Sequence, residues 1–312
     1  MLFRAARWVA GHLAVLTLLG ALLAYAYPPV FLIFKHVFLW LFAITMFAVG
    51  VVLEPAELSA TARHPGRILL GLLTQFTVMP ALGLAAALLA PVSPDIALGF
   101  VIVACAPGAM ASNVIVYLAG GAVAFSVALT TLATLVSPLL TPLLVEWLGG
   151  VFLAIPFWPM VATIVWTVVV PLLAGLALRR NVRDERLHVL KALSPAVAAL
   201  AALAIVVICS YAVAANQARI AQVGAWVLLM VVAVNGLGYL AGWLLGRLYR
   251  FDQRHRLTLA IEIGMQNAGL GVALALAHFK PETALPGALF AVWCILTAAG
   301  ASAWLRRHSV AD

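Results

Sequence analysis

From Asp95 to Glu146 the chain carries no charged side chain at all. About 20 apolar residues span the hydrocarbon of a bilayer, so this run has room for two crossings, with "AGGA" (119–122) as the turn between them. The other charges bracket runs of similar kind. Arg7 to Lys35, Lys35 to Glu54, Arg67 to Asp95, Lys191 to Arg219, Arg219 to Arg247 and Glu282 to Arg306 each enclose one helix. The run Trp147 to Leu178, entered through the interface-suited "PFWP" (156–159), adds another, and the segment around Glu262 completes ten.

Composition agrees: 66% of the residues are hydrophobic and 9% charged, against about a quarter charged in soluble domains. The chain reads as an all-α polytopic membrane protein whose bulk partner is the lipid bilayer. A formal charge of +8 raises the question of nucleic acid, but that partner needs a basic soluble module, and the basic residues here lie in short loops. No HExxH, GxSxG or Walker pattern is present, and no nucleophile stands with its base, so an enzyme is not expected.

Cytoplasmic loops are enriched in Lys and Arg. With the N-terminus inside, all of the 18 such residues fall on the cytoplasmic side except Lys35, Arg219 and Lys280. Both termini are then cytoplasmic. Arg4, Arg7 and "AYA" (24–26) imitate a cleavable signal, but the apolar run exceeds the usual signal core of about 7–15 residues, so a retained first helix is expected. Cys105, Cys209 and Cys294 lie in apolar runs and are expected as buried thiols.

Ten helices divide at "LGG" (148–150) into a first unit, residues 1–150, and a second, residues 151–312. An odd number of helices per unit forces the second to enter from the opposite side, which makes an inverted repeat, a common transporter plan. The fourth helix of each unit has the same peculiarity: "CAPGAMASNV" (105–114) and "IEIGMQNAGL" (261–270) are polar, glycine-containing interruptions of apolar helices. Pro107 lacks an amide hydrogen and Gly108 permits unusual dihedrals, so the first break is chemically explicit. Broken helices at membrane depth line cavities or are buried in protein.

Of the acidic residues, Glu262 is the one placed well inside a span. Acids at a helix centre cost about 2.5–3.5 kcal/mol on insertion scales. Pairing with an arginine such as Arg256 is one explanation. No basic residue lies at comparable depth, however, which favours a bound cation. Hard cations take oxygen ligands, and Ser112 and Asn113 lie at the first break, while Ser126 and Thr130 share one face of the following helix. Gln75 is another isolated polar group in an apolar run. Gly238, Gly242 and Gly246 recur every four residues, as in close helix packing.

With "PGAMASNVIVYLAGGAVAFSVALTTLATLVSPLLTP" (107–142), "EIGMQNAGLGVALA" (262–275) and "LTQFTVMPAL" (73–82), the chain resembles the bile acid:sodium symporter family, bacterial branch, nearly end to end. The resemblance implies a core of helices 3–5 and 8–10 and a panel of helices 1, 2, 6 and 7, with helices 4 and 9 broken and crossing. It implies two sodium ions behind the crossing and no organic cofactor. One site would use Ser112, Asn113, Ser126, Thr130 and Glu262; the other Gln75, Glu262 and Gln266 with the carbonyls of Ile263 and Met265. A small organic anion would bind between core and panel, beside Asn267, Gly108, Ala109 and Met110. Family members often read "PGGTASN" where this chain has "PGAMASN", and many carry a basic residue where Gly120 stands, so the departures concern the substrate side.

The resulting expectation is a multi-pass protein of the bacterial inner membrane. It imports an organic anion, a bile-acid-like carboxylate or sulfonate, in symport with sodium by alternating access, with no obligate protein partner evident. A proton-coupled or metalloid exporter of related fold, using Glu262 or Cys105, and a receptor-like binder that no longer transports are the alternatives.

Overall fold

A computed structural model describes residues 13–52, 65–181 and 184–309. Among them the chain is helical, without a strand: α1 (Leu13–Ala26), α2 (Phe38–Val52), α3 (Pro65–Leu89), α4 (Pro94–Ala104), α5 (Ser112–Leu118), α6 (Val123–Gly149), α7 (Phe157–Asn181), α8 (Asp184–Ala215), α9 (Gln217–Leu248), α10 (Gln253–Gly264), α11 (Ala268–His278) and α12 (Leu285–Ser309). Among the described residues, α3, α6, α7 and α9 are each long and apolar enough alone to cross a membrane. Large side chains such as Leu89, Trp147, Trp158, Trp166 and Leu248 are exposed on the outside of the bundle, the opposite of a water-soluble surface.

The first apolar run is not one straight helix. At Tyr27 the chain turns by 107° into the short helical segment Pro29–His36. Pro28 and Pro29 have no amide hydrogens for the carbonyls one turn back, so α1 cannot be continued through them. Residues 1–12, including Arg4 and Arg7, lie outside the described part, as do Arg63 and Arg183.

Packing is densest in two neighbourhoods, which are joined where α7 lies against α6 and where α8 and α1 lie against α12. In one, α2 lies against α7 and α8, and α8 against α1; in the other, α9 lies against α10, α12 and α3, and α3 against α4. Close approach in the first depends on Gly50 and Gly175. A Cβ on Gly50 would stand 2.1 Å from the Leu172 carbonyl oxygen, and one on Gly175 2.3 Å from that of Phe47. In the second, the expected close packing of the α9 glycines is present. A Cβ on Gly242 would meet Ala260 Cα and the Leu259 carbonyl at 2.7 Å, and Gly238 and Gly246 also face α10. Ion pairs Lys280–Asp95 at 3.1 Å and Arg219–Glu282 at 2.8 Å join the α3–α4, α8–α9 and α11–α12 connections. The three cysteines are buried.

Gly242→Leu is expected to destabilise the protein by about 1–3 kcal/mol, the usual cost of overpacking, because the obstructing atoms are backbone and cannot swing away. Gly236 is exposed on the same helix with nothing within 4 Å of a Cβ, and Gly236→Ala should be neutral or stabilising by up to about 1 kcal/mol. Thermal unfolding in detergent checks the pair; equal effects would contradict a close α9–α10 contact at Gly242.

Candidate functional site at the crossing of two broken helices

Two helices stop and restart at one place. α4 ends at Ala104 and α5 begins at Ser112; α10 ends at Gly264 and α11 begins at Ala268. Pro107 accounts for the first break. The second has no proline and is less evident in the sequence, yet Met265 is extended out of helical geometry, with φ −105° and ψ 103°. The two unwound segments hold each other. The Ala109 amide donates to the Met265 carbonyl at 2.9 Å and the Asn267 amide to the Pro107 carbonyl at 2.8 Å, which makes an antiparallel bridge between Gly108 and Gln266. Main-chain groups freed by one break thus serve the other, which answers the requirement that buried backbone polar groups be paired.

Glu262, 1% exposed, stands against this bridge. Its Oε1 accepts from Ser112 Oγ at 2.5 Å and from Ser126 Oγ, and its Oε2 accepts from Thr130 Oγ1 at 2.6 Å. The same hydroxyls have other claimants. Ser126 also reaches Asn113 Oδ1 at 2.7 Å, Thr130 the Ser126 carbonyl at 2.9 Å, and Ser112 the Ala109 carbonyl at 2.7 Å. A hydroxyl has one proton to give. The Ala109 carbonyl is also met by the Ser112 amide at 2.9 Å and the Ser126 carbonyl lies within α6, so the three hydroxyl protons are shared among both Glu262 oxygens and Asn113 Oδ1, and none of them brings a positive charge. Arg256 does not resolve this: its guanidinium lies 4.2 Å over the Trp243 ring. A buried carboxylate ringed by side-chain oxygens, with no ion-pair partner among the described residues, presents the kind of oxygen donors that hard cations take.

Beside it lies a second carboxamide and carbonyl cluster. Gln75 Nε2, from α3, donates to Gln266 Oε1 at 2.8 Å and to the Ala106 carbonyl at 3.2 Å. Gln266 Nε2 donates to the Ile263 carbonyl at 3.0 Å. Thus Gln75, Ile263, Met265 and Gln266 gather on one side of the bridge and Ser112, Asn113, Ser126 and Thr130 around Glu262.

Gly108 is held to a close approach: a Cβ there would meet Glu262 Oε2 at 3.1 Å. It therefore lies against the carboxylate, while Ala109, Met110 and Asn267 line an internal cavity that continues to Thr45 and Met46 of α2 and Cys294 of α12. Among the described residues that line it, none is charged. Asn267 caps α11, its Oδ1 accepting from the Leu270 amide at 3.1 Å. Cys105 is buried at the end of α4, away from the cavity lining, and its carbonyl accepts from Thr141 at 2.8 Å.

Asn235 is not among the residues that the sequence singles out. It is 1% exposed and donates to the Gly264 carbonyl at 2.8 Å, at the second break. A carboxamide within the apolar α9 is the signal that marks it.

The model of the Sodium Bile acid symporter family matches residues 39–223. An uncharacterised sodium-dependent transporter of Bacillus subtilis is 37% identical over 275 residues, covering 88% of this chain and 84% of its own. A probable chloroplastic sodium/metabolite cotransporter of Arabidopsis thaliana is 33% identical over 84% of this chain and 65% of its own. The human ileal sodium/bile acid cotransporter is 29% identical over 78% of this chain and 69% of its own. These relatives are named as transporters, not as enzymes. On the family match and the apolar helices, the chain is a multi-pass membrane transporter and belongs to the sodium bile acid symporter family.

Proposed function

We propose that the protein is a sodium-coupled symporter that brings a small organic anion, a carboxylate or sulfonate, across the bacterial inner membrane by alternating access. The observation that carries this reading is the buried Glu262 carboxylate with the oxygens of Ser112, Asn113, Ser126 and Thr130 around it and no ion-pair partner among the described residues, a charge that a monovalent hard cation would balance. One sodium ion would take Ser112, Asn113, Ser126, Thr130 and Glu262. A second would take Gln75, Glu262 and Gln266 with the Ile263 and Met265 carbonyls, which keep a lone pair beyond their present hydrogen bonds. Sodium is cargo here, and no organic cofactor or obligate protein partner enters the reading.

The architecture in this proposal is two inverted five-helix units, residues 1–150 and 151–312, with both termini cytoplasmic. The two packing neighbourhoods support a panel of α1, α2, α7 and α8 moving against a core of the remaining helices. The substrate would occupy the cavity between them, its anionic group at Asn267 Nδ2 and its apolar body against Met46 and Met110. With no cation in the lining, affinity for the anion would come from the α11 N-terminus, the Asn267 amide and the sodium ions behind the crossing. Cys105 does not line the cavity, which disfavours a thiol-dependent metalloid exporter. A proton-coupled carrier would use the same Glu262, and uptake into proteoliposomes separates the two: a pH gradient without sodium drives one, a sodium gradient the other.

Glu262→Gln deletes the charge shared by both ion sites and should weaken sodium stimulation of substrate binding at least about tenfold, a change of about 1.4 kcal/mol. Ser126→Ala and Thr130→Val should weaken it less, each removing one neutral ligand. Sodium titration of binding checks this, and full sodium stimulation in Glu262→Gln would end the assignment. Transport should also be electrogenic. Two sodium ions with one monovalent anion carry one net positive charge, favoured by about 2.3 kcal/mol per 100 mV of inside-negative potential. Uptake at clamped potassium-diffusion potentials should rise as the interior is made negative; indifference to voltage would mean one-for-one coupling or a dianionic substrate.

A further inference from the structure

Asn235 spans two helices with one carboxamide. Its Nδ2 donates to the Gly264 carbonyl at 2.8 Å, and its Oδ1 accepts from Thr297 Oγ1 of α12 at 3.1 Å. Thr297 is in turn within 3.1 Å of the carbonyls of Trp293 and Cys294, one turn back in α12.

The last carbonyls of a helix have no intrahelical partners. At the end of α10 most are served from nearby. Ile261 accepts from the Met265 amide at 3.0 Å and Met265 from the Ala109 amide at 2.9 Å, and Ile263 accepts from Gln266 Nε2 at 3.0 Å. Gly264 is different, for its carbonyl is met by a side chain from α9. The same turn of α9 fits the main chain closely. A Cβ on Gly264 would stand 2.4 Å from the Tyr239 ring, and one on Gly238 would stand 3.2 Å from Gly264 Cα and 3.4 Å from the Ile263 oxygen. The peptide plane after Gly264 is therefore clamped from one side. Fixing that plane anchors the peptide units on either side of it, so the carbonyls of Ile263 and Met265 move relative to it only by rotation about the φ and ψ of Gly264 and Met265.

We infer that Asn235, oriented by Thr297, is a positioning residue for the ion site, and that it links that site to the wall of the cavity. Removing it frees the Gly264 carbonyl to turn, and the two carbonyls assigned to sodium are then held only by Gln266 Nε2 and the Ala109 amide. The link to the cavity is short: Thr297 contacts the Cys294 carbonyl, and Cys294 and Ala291 line the cavity. The inference rests on the assignment of sodium to the helix crossing.

The test needs no identified substrate. Purified protein in detergent is titrated with NaCl against choline chloride at constant ionic strength, and the thermal midpoint is followed, since a ligand that binds the folded state stabilises it by RT ln(1 + [L]/Kd). Asn235→Leu should raise the sodium Kd fitted to this dependence roughly five- to tenfold, and Thr297→Val roughly two- to threefold. The double variant should match Asn235→Leu alone, because the two side chains act as a unit. A lower midpoint in choline with an unchanged sodium response would show a merely structural role and overturn the inference, as would additive shifts. If Asn235→Leu does not fold, Thr297→Val decides, an unchanged sodium response overturning the inference. A wild-type protein without any sodium-specific shift refutes the sodium reading and this inference together; a wild-type shift that both variants retain refutes the inference alone.

Discussion

A carboxylate sunk into a membrane protein with hydroxyls for neighbours, and no ion-pair partner among the described residues, is the constraint around which this bundle is organised. Burial of a lone charge is unfavourable unless something compensates it. Here three hydroxyls from two helices converge on Glu262, and each is itself shared with another acceptor. The arrangement lowers the cost of the charge without neutralising it. It also requires that α5, α6 and α10 be held in register, since a hydroxyl displaced by one ångström no longer makes a hydrogen bond.

That register is supplied by main-chain pairing across the two breaks and by close helix contacts behind it. The Ala109–Met265 and Asn267–Pro107 hydrogen bonds tie the unwound segments together. The glycines of α9 bring it against α10, and Gln75 reaches from α3 to Gln266 and the Ala106 carbonyl. Thr258 of α10 accepts from the Ala122 amide at 2.8 Å and so fastens the turn before α6. Gly120 in that turn has φ +74°, a left-handed conformation that explains glycine at this position on backbone grounds alone.

Much of this was legible in the sequence because the bilayer makes polarity conspicuous. Glu262, Gln75, Ser112, Asn113, Ser126 and Thr130 stood out against apolar surroundings, and the structure brings them into one place. The bend at Tyr27 was carried by two adjacent prolines but was absorbed into a single apolar run. The second break was harder to read, because what unwinds the chain at Met265 is the competing pairing with the first break, a contact between residues far apart in the chain. Asn235 was missed for a related reason. A single carboxamide in an apolar helix is ordinarily an interhelical hydrogen bond, and only the position of its partner, a carbonyl at a helix end, distinguishes it. Gly108 was grouped with the cavity residues by its motif, whereas its contact is with the carboxylate.

The bridge between Gly108 and Gln266 is made of amides and carbonyls alone. Its strength therefore does not depend on what side chains the flanking positions carry, and Ala109 and Met110 line the cavity from a scaffold that would be the same with other residues there. Selection can alter the chemistry of the cavity wall at these two positions while the carboxylate and its hydroxyls keep their geometry. On the proposed function, the carrier is in this sense modular at the scale of single residues: ion handling would be inherited with the crossing, and the choice of cargo would be free to drift.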